Sequence, residues 1–138
     1  MTLCTSDTDN KARALKTAFI YLLITVFCSV FGTVYELFSH EVYSFYMIYA
    51  FAIPLLGGVL PFMLAAMFNT SEFPGRLSLN LYNSGIAALT TGSIVNGVLE
   101  IYGTDNPLVY AYVFSGILFI LAGIIVYMVK KRRIKNNE

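Results

Sequence analysis

The stretch "TAFIYLLITVFCSVFGTVYELF", Thr17–Phe38, decides the fold of this chain. Its one charged residue, Glu36, lies two positions before its end. As a helix the stretch rises roughly 33 Å, at about 1.5 Å per residue, and the hydrocarbon core of a bilayer is about 30 Å thick. Three further apolar runs have a similar length. The sequence therefore predicts an all-α integral membrane protein, a bundle of four transmembrane helices at about 17–38, 43–68, 79–102 and 107–130.

The composition excludes a water-soluble domain. Of the 138 residues, 57% are hydrophobic and 12% are charged, and the mean hydropathy is +0.69. A soluble domain of this size needs more charged residues to cover its surface. The lipid bilayer is therefore the first partner that we expect.

The basic residues predict the orientation. All nine Lys and Arg lie in the segment 1–16, in the second loop, or from Lys130 to the end of the chain. Positive charge is retained on the cytoplasmic side of membrane proteins. We therefore expect a multi-pass protein of the plasma membrane with both termini cytoplasmic, a cytoplasmic segment 1–16 and a basic tail 131–138. We interpret the tail as a topology signal and not as a nucleic-acid site.

The second apolar run is interrupted by "AIPLLGGVLP", which places Pro54, Gly57, Gly58 and Pro61 near its middle. Each proline lacks an N–H group, so the carbonyl groups of Ala50 and Gly57 lose their helical donor. A kink or a partly unwound segment is expected. Broken helices line substrate sites in transporters, whereas the alternative is a packing kink that lets a neighbouring helix approach.

The third run carries small or polar residues at every fourth position: Ser84, Ala88, Gly92 and Asn96. Small residues at this spacing let helix backbones approach closely in lipid. The third helix should therefore lie in the interior of the bundle. The same stripe leads to Glu100 at the outer end of the helix.

Five ionisable residues, which we call the outer acidic cluster, are expected at the outer face: Glu36, His40, Glu41, Glu100 and Asp105. The first and third loops contain no Lys or Arg to neutralise them. Carboxylates and an imidazole are ligand types for divalent cations. The cluster is thus a candidate cation site, and the alternative is a set of solvated helix ends.

The two halves of the chain are similar. A shift of 64 residues sets "VYELFSHE" (34–41) over "VLEIYGTD" (98–105), with Glu36 over Glu100. Two tandem helical hairpins would have the same orientation in the membrane. Chance similarity between apolar helices is the alternative.

Sequence motifs for catalysis are missing. The chain has one His, whereas a haem held between helices commonly needs two. It has no Cys-x-x-Cys, no glycine-rich phosphate loop and no His-Glu-x-x-His. We therefore expect neither an enzyme nor a cofactor.

Two resemblances add to these expectations. The stretches "FGTVYELFSHEVYSFYMIYAFAIPLLGG" and "LYNSGIAALTTGSIVNGVLEIYGTDN" resemble small four-span membrane proteins of Gram-positive bacteria, a group without an established activity. This resemblance covers nearly the whole chain and implies a bacterial plasma membrane. Four short helices with a membrane glutamate also resemble the small multidrug resistance exporters. Their essential glutamate lies midway along the first helix, whereas Glu36 follows Lys16 by about 30 Å of helix, so no site is transferred.

Two hypotheses follow for the function. In the first, the protein is a structural or regulatory subunit that acts with a membrane protein partner or as a homo-oligomer. In the second, it is a small transporter or cation-binding protein that uses Glu36 and Glu100.

Overall fold

A computed structural model of the chain describes residues 2–68 and 73–136, and their side chains from Thr8 onwards. All of its regular elements are helical: α1 (Thr2–Phe38), α2 (Phe45–Ile48), α3 (Ala52–Pro54), a π-helical segment (Leu55–Val59), α4 (Leu60–Met67), α5 (Arg76–Ile101) and α6 (Val109–Lys135). No strand occurs in these two ranges. The predicted all-α fold is confirmed.

Four helical stretches are long and apolar enough to cross a membrane: Thr8–Phe38, Phe45–Met67, Arg76–Ile101 and Val109–Lys135. We call Phe45–Met67, which contains α2, α3, the π-helical segment and α4, the second span. The first span packs against the second span, which also contacts α5, and α5 packs against α6. The prediction of a four-helix, multi-pass membrane protein is confirmed. Because the number of these spans is even, the first and last described residues, Thr2 and Asn136, lie at one end, which we call the terminal end. Residues 39–44 and 102–108 lie at the opposite end, which we call the distal end.

The first and last helices are longer than predicted. Helix α1 begins at Thr2, so the segment predicted at 1–16 continues into the first span without a break. Its buried residues recur at alternating spacings of four and three: Ala14, Ala18, Tyr21, Thr25, Cys28 and Gly32. This stripe begins before Thr17, and packing along it extends the helix beyond the apolar run. Helix α6 likewise runs on to Lys135, into the predicted tail, and its last turn carries basic residues that favour a helix C-terminus.

The second span is broken, as its prolines predict. Between Pro54 and Pro61 the chain forms one π-helical turn, in which the Leu60 N–H donates to the carbonyl oxygen of Leu55, five residues earlier. Such a turn is a recognised cause of a kink in a helix. Pro54 is itself fully buried.

Helices α5 and α6 pack through a seam of small residues. Buried residues recur at every seventh position on both antiparallel helices: Ser78, Gly85 and Gly92 on α5, and Val109, Gly116 and Gly123 on α6. A Cβ atom added to Gly85 would lie 2.7 Å from the carbonyl oxygen of Gly116. The Ser78 hydroxyl donates to the carbonyl oxygen of Gly123 at 2.7 Å. The seam thus brings the two backbones into direct contact.

The predicted four-residue stripe of α5 coincides with this seam at one position. Gly92 is buried, Ala88 and Asn96 are half-buried, and Ser84 is exposed. The interior position of α5 is as predicted, because the helix contacts both the second span and α6. The stripe is not its contact face, because side chains that meet one neighbour along a whole helix recur at about 3.5 residues rather than four.

Candidate functional site

The outer acidic cluster begins at the turn that follows α1. His40 and Glu41 have φ angles of 54° and 70°, so two consecutive residues have left-handed backbone. The Ser39 hydroxyl lies 2.8 Å from the carbonyl oxygen of Glu36 and 2.6 Å from that of Val42. These two contacts stabilise the turn. His40 and Glu41 are both exposed.

Glu100 is held by the short helix α2. The Ser44 side chain is fully buried, and its hydroxyl donates to a carboxylate oxygen of Glu100 at 2.5 Å. The same hydroxyl oxygen accepts from the N–H of Met47 at 3.5 Å and so caps α2. On α5 the Ser93 hydroxyl donates to the carbonyl oxygen of Tyr46 at 2.8 Å. Two side-chain hydrogen bonds therefore attach α2 to α5.

Met47 connects α1 with α5 below the two glutamates. It is 1% exposed. A Cβ atom added to Gly32 of α1 would lie 3.1 Å from the carbonyl oxygen of Met47, and one added to Gly97 of α5 would lie 2.9 Å from the backbone nitrogen of Met47. Glu36 follows Gly32 by one helical turn, and Glu100 follows Gly97 by one turn, so each glutamate lies on the helix face that contacts Met47.

Glu36 has an unusual environment at this junction. The side chain is half-buried, and its Oε1 atom is buried without a hydrogen-bond partner among the residues that the structure describes. A buried polar atom without a partner costs free energy in the folded state. Among the described residues, Glu36 is therefore the member of the cluster that has a buried carboxylate oxygen without a hydrogen-bond partner.

The five predicted ligands do not form one metal-binding group. All five are described, and no three His, Cys, Asp or Glu residues in the described ranges are grouped closely enough to hold a metal ion. The structure places Glu36, which is half-buried, and Glu100, which is exposed, beside the Met47 junction, whereas His40, Glu41 and Asp105 lie exposed in the turns. The five residues of the candidate cation site are therefore not assembled as one cluster of metal ligands in the described ranges. Binding of a cation by Glu36 and Glu100 stays a prediction.

A second polar arrangement lies inside the membrane-spanning part of the bundle. The Tyr82 hydroxyl donates to the carbonyl oxygen of Gly57 at 2.6 Å, and the Tyr21 hydroxyl donates to Oδ1 of Asn83 at 2.6 Å. Pro61 removes the helical donor for Gly57, so the carbonyl that the sequence predicts to be free is bonded by a side chain of α5. Sequence reasoning missed both tyrosines. The signal that could have found them is a hydroxyl group within the first turns of two apolar runs, 17–38 and 79–102.

The glycines of the broken segment make room for neighbouring side chains. A Cβ atom on Gly58 would overlap the Tyr21 ring, and one on Gly57 would lie 2.5 Å from Cδ1 of Ile86. The Tyr21 ring stacks on Phe62 with centroids 5.8 Å apart. Side chains of α1 and α5 therefore fill the space beside the π-helical segment. This arrangement favours the packing kink over a substrate site at this level.

Comparison of the chain with protein-family models, with curated proteins and with solved structures gives no match. The function is therefore inferred from the geometry of the chain itself.

Proposed function

We propose that this chain is a non-catalytic subunit of a bacterial plasma membrane complex, structural or regulatory, that associates with a membrane protein partner or a second copy through α6. The burial of the spans carries the proposal. In the most apolar part of α6, 11% of the residues are buried, against 28% in each of the other three spans. Helix α6 is thus the span with the largest surface left for a partner.

The free surface of α6 has the form of a packing face. Large apolar residues that are 54–74% exposed recur at spacings of four, three and four: Phe114, Leu118, Leu121 and Ile125. This spacing is that of side chains that interdigitate with a neighbouring helix. Association in lipid depends on such packing, because lipid chains are as apolar as the side chains. The stripe is therefore the surface that we assign to the partner.

The polar groups of the first three spans support a rigid subunit over a transporter. Inside the bundle Tyr21, Asn83, Tyr82 and the Gly57 carbonyl group are joined in interhelical hydrogen bonds. A substrate path needs polar groups that can exchange partners, whereas these groups are already paired with one another across helices.

The charge distribution supports the proposed orientation. By sequence, residues 1–16, 69–76 and 130–138 include nine basic and four acidic residues, whereas residues 36–41 and 100–105 include four acidic residues and no Lys or Arg. The net charge of the first set is +5 and that of the second set is −4, which agrees with the rule that positive charge stays on the cytoplasmic side. Both termini are therefore assigned to the cytoplasm.

The test is purification of the tagged full chain from its native membranes in a mild detergent. We expect a second membrane protein, or a second copy, in a fixed ratio to the chain. Replacing Phe114, Leu118 and Ile125 together by Ala should remove it. The matched control replaces Phe19, Leu23 and Val30 of α1, which are 55–59% exposed and have the same spacing, and should leave the complex intact. Loss in both variants, or no complex with the parent, would contradict the proposal.

A second candidate function is cation binding at the distal end, and the unpartnered Oε1 atom of Glu36 favours it. A cation would supply the partner that this oxygen lacks, with the Glu100 carboxylate on the neighbouring helix. The test is the thermal midpoint of the purified protein against divalent and organic cations. A ligand at about a hundred times its Kd stabilises by roughly 2.7 kcal/mol.

The variants Glu36→Gln and Glu100→Gln decide between site and surface effects. A bound cation should raise the unfolding midpoint of the parent and of the control variant Glu41→Gln, whose residue is exposed. It should not raise the midpoint of Glu36→Gln or of Glu100→Gln. Equal responses of all four proteins would show that the cluster binds no cation specifically and is only a set of solvated helix ends.

A further inference from the structure

A cavity of about 540 Å³ lies at the terminal end of the bundle, between α1, α4, the start of α5 and α6. This volume lies within the range of about 300–1,000 Å³ that small-molecule sites occupy. Its walls are largely apolar and include Phe62, Leu64, Phe68, Leu79 and Ile124. The cavity is distinct from the outer acidic cluster, which lies at the other end of the molecule.

The cavity runs from the surface into the bundle. Lys11 and Phe68 line it and are exposed, whereas Phe62 and Ser78 line it and are buried. Tyr82, whose hydroxyl is bonded to Gly57, forms part of the inner wall. The inner end thus reaches the membrane interior, and the open end lies where the chain meets the aqueous boundary.

Three cationic side chains surround the open end. Lys11 lines the cavity. The Arg13 guanidinium lies 5.3 Å from the ring centroid of Phe73, which also lines it. Lys130 of α6 lies at the same edge. Its Nζ atom is 3.1 Å from the position of a Cβ atom added to Gly75, and the preceding residue, Pro74, lines the cavity. An apolar interior is therefore combined with a positive rim.

We propose that this cavity binds an anionic phospholipid, with an acyl chain in the apolar interior and the phosphate at the rim formed by Lys11, Arg13 and Lys130. Basic residues at the membrane surface attract anionic lipid, each by roughly 1 kcal/mol. Long basic side chains keep their charge at the interface while their stems cover apolar surface. A zwitterionic lipid has the same chains but gains less from the rim. The charge of the headgroup should therefore decide the affinity.

The experiment is native mass spectrometry of the delipidated full chain in detergent. Phosphatidylglycerol is titrated against phosphatidylcholine with identical acyl chains, and inorganic phosphate is the third probe. We expect phosphatidylglycerol to bind at least tenfold more tightly than phosphatidylcholine, and phosphate alone to leave no detectable adduct. Equal affinity of the two lipids would overturn the proposal, and so would an adduct of phosphate as stable as that of the anionic lipid.

Two pairs of variants locate the site. The double variant Lys11→Gln with Lys130→Gln should weaken phosphatidylglycerol binding about thirtyfold, because two contributions of about 1 kcal/mol are lost. Lys131→Gln with Lys135→Gln removes the same charge from the end of α6 and should weaken it less than about threefold. Equal losses would show attraction to the whole basic surface and would overturn the assignment to the cavity.

The second pair tests the acyl-chain part. Ile124→Trp places a larger side chain in the cavity and should reduce binding of both lipids at least fivefold, whereas Ile117→Trp, at an exposed position of α6 outside the cavity lining, should not. Circular dichroism and the unfolding midpoint establish that each variant is folded. Unchanged lipid binding in folded Ile124→Trp protein would contradict occupation of the cavity by a chain.

Discussion

The hydroxyl of Tyr82 donates a hydrogen bond to the carbonyl oxygen of Gly57 at 2.6 Å. Gly57 lies four residues before Pro61, whose missing N–H would otherwise supply the donor. In the membrane interior water does not replace a lost donor, so backbone groups that a proline frees are satisfied by neighbouring helices. A tyrosine of the third span therefore stabilises the broken second span and fixes the two spans against each other.

Replacing Tyr82 by Phe removes this donor and leaves the ring in place. We expect a loss of about 1–2 kcal/mol in the free energy of unfolding, since the Gly57 carbonyl group is left without a partner. Tyr110→Phe, at an exposed position, should change stability by less than about 0.5 kcal/mol. Reversible unfolding in mixed detergent measures both.

The proline can be tested by a double-mutant cycle. In a Pro61→Ala background the new N–H can donate to the Gly57 carbonyl oxygen, so Tyr82→Phe should cost at least about 0.5 kcal/mol less than in the parent. Additive effects of the two changes would show that Tyr82 acts through packing alone.

The seam of small residues between α5 and α6 should not tolerate a larger side chain. A Cβ atom on Gly85 meets both the carbonyl oxygen of Gly116 and the backbone nitrogen of Ile120 within 2.8 Å, so relief needs movement of a backbone. We expect Gly85→Val to lower stability by about 2–3 kcal/mol. Ala87→Val, two residues along on an exposed face, should cost less than about 1 kcal/mol. Similar midpoints for the two variants would contradict the seam.

At the distal end, Ser44 should contribute more to stability than its size suggests. Its hydroxyl caps α2 and donates to Glu100, so Ser44→Ala should cost about 1–2 kcal/mol. Ser84→Ala, at an exposed position of α5, is the control and should be nearly neutral. The cost of Ser44→Ala should shrink in a Glu100→Ala background, which removes the acceptor, and an unchanged cost would show that the two residues are not coupled.

The turn after α1 offers a stabilising change. Glu41 has a φ angle of 70°, a conformation that costs a non-glycine residue roughly 1 kcal/mol. We therefore expect Glu41→Gly to raise the unfolding free energy by about 0.5–1 kcal/mol, the reverse of replacing a glycine at positive φ. Glu41→Ala keeps the backbone penalty and should not raise the midpoint. If both variants were more stable than the parent, the gain would come from removing the negative charge and not from relieving the backbone conformation.

The spans were predictable because their length and hydropathy are local properties of the sequence. The free carbonyl of Gly57 was predictable for the same reason, since it depends on Pro61 four residues away. Its donor was not, because a hydrogen bond from Tyr82 depends on how α5 is rotated against the second span. A side chain inside an apolar run gives no sign of which neighbour it will meet.

The contact face of α5 shows a second limit of the sequence. Gly92 belongs both to the four-residue stripe through Ser84 and Ala88 and to the seven-residue series through Ser78 and Gly85. The position of α6 selects the second series, and the glycines of α6 that fit it are far along the chain. For the outer acidic cluster, Glu36 is half-buried at the end of α1, whereas His40 and Glu41 are exposed in the turn that follows. Proximity in sequence therefore did not reveal which of these residues would be buried.

The most direct test of a subunit that associates through α6 is a photocrosslinking scan in intact cells. A benzophenone amino acid is placed in turn at each exposed position from Tyr110 to Val129, and not at the seam glycines, with Phe27 on α1 as an exposed control. We predict adducts of one fixed mass at Phe114, Leu118, Leu121 and Ile125, and none at Phe27. Adducts with lipid alone at every position of α6, or protein adducts of equal yield at Phe27, would contradict the proposed role.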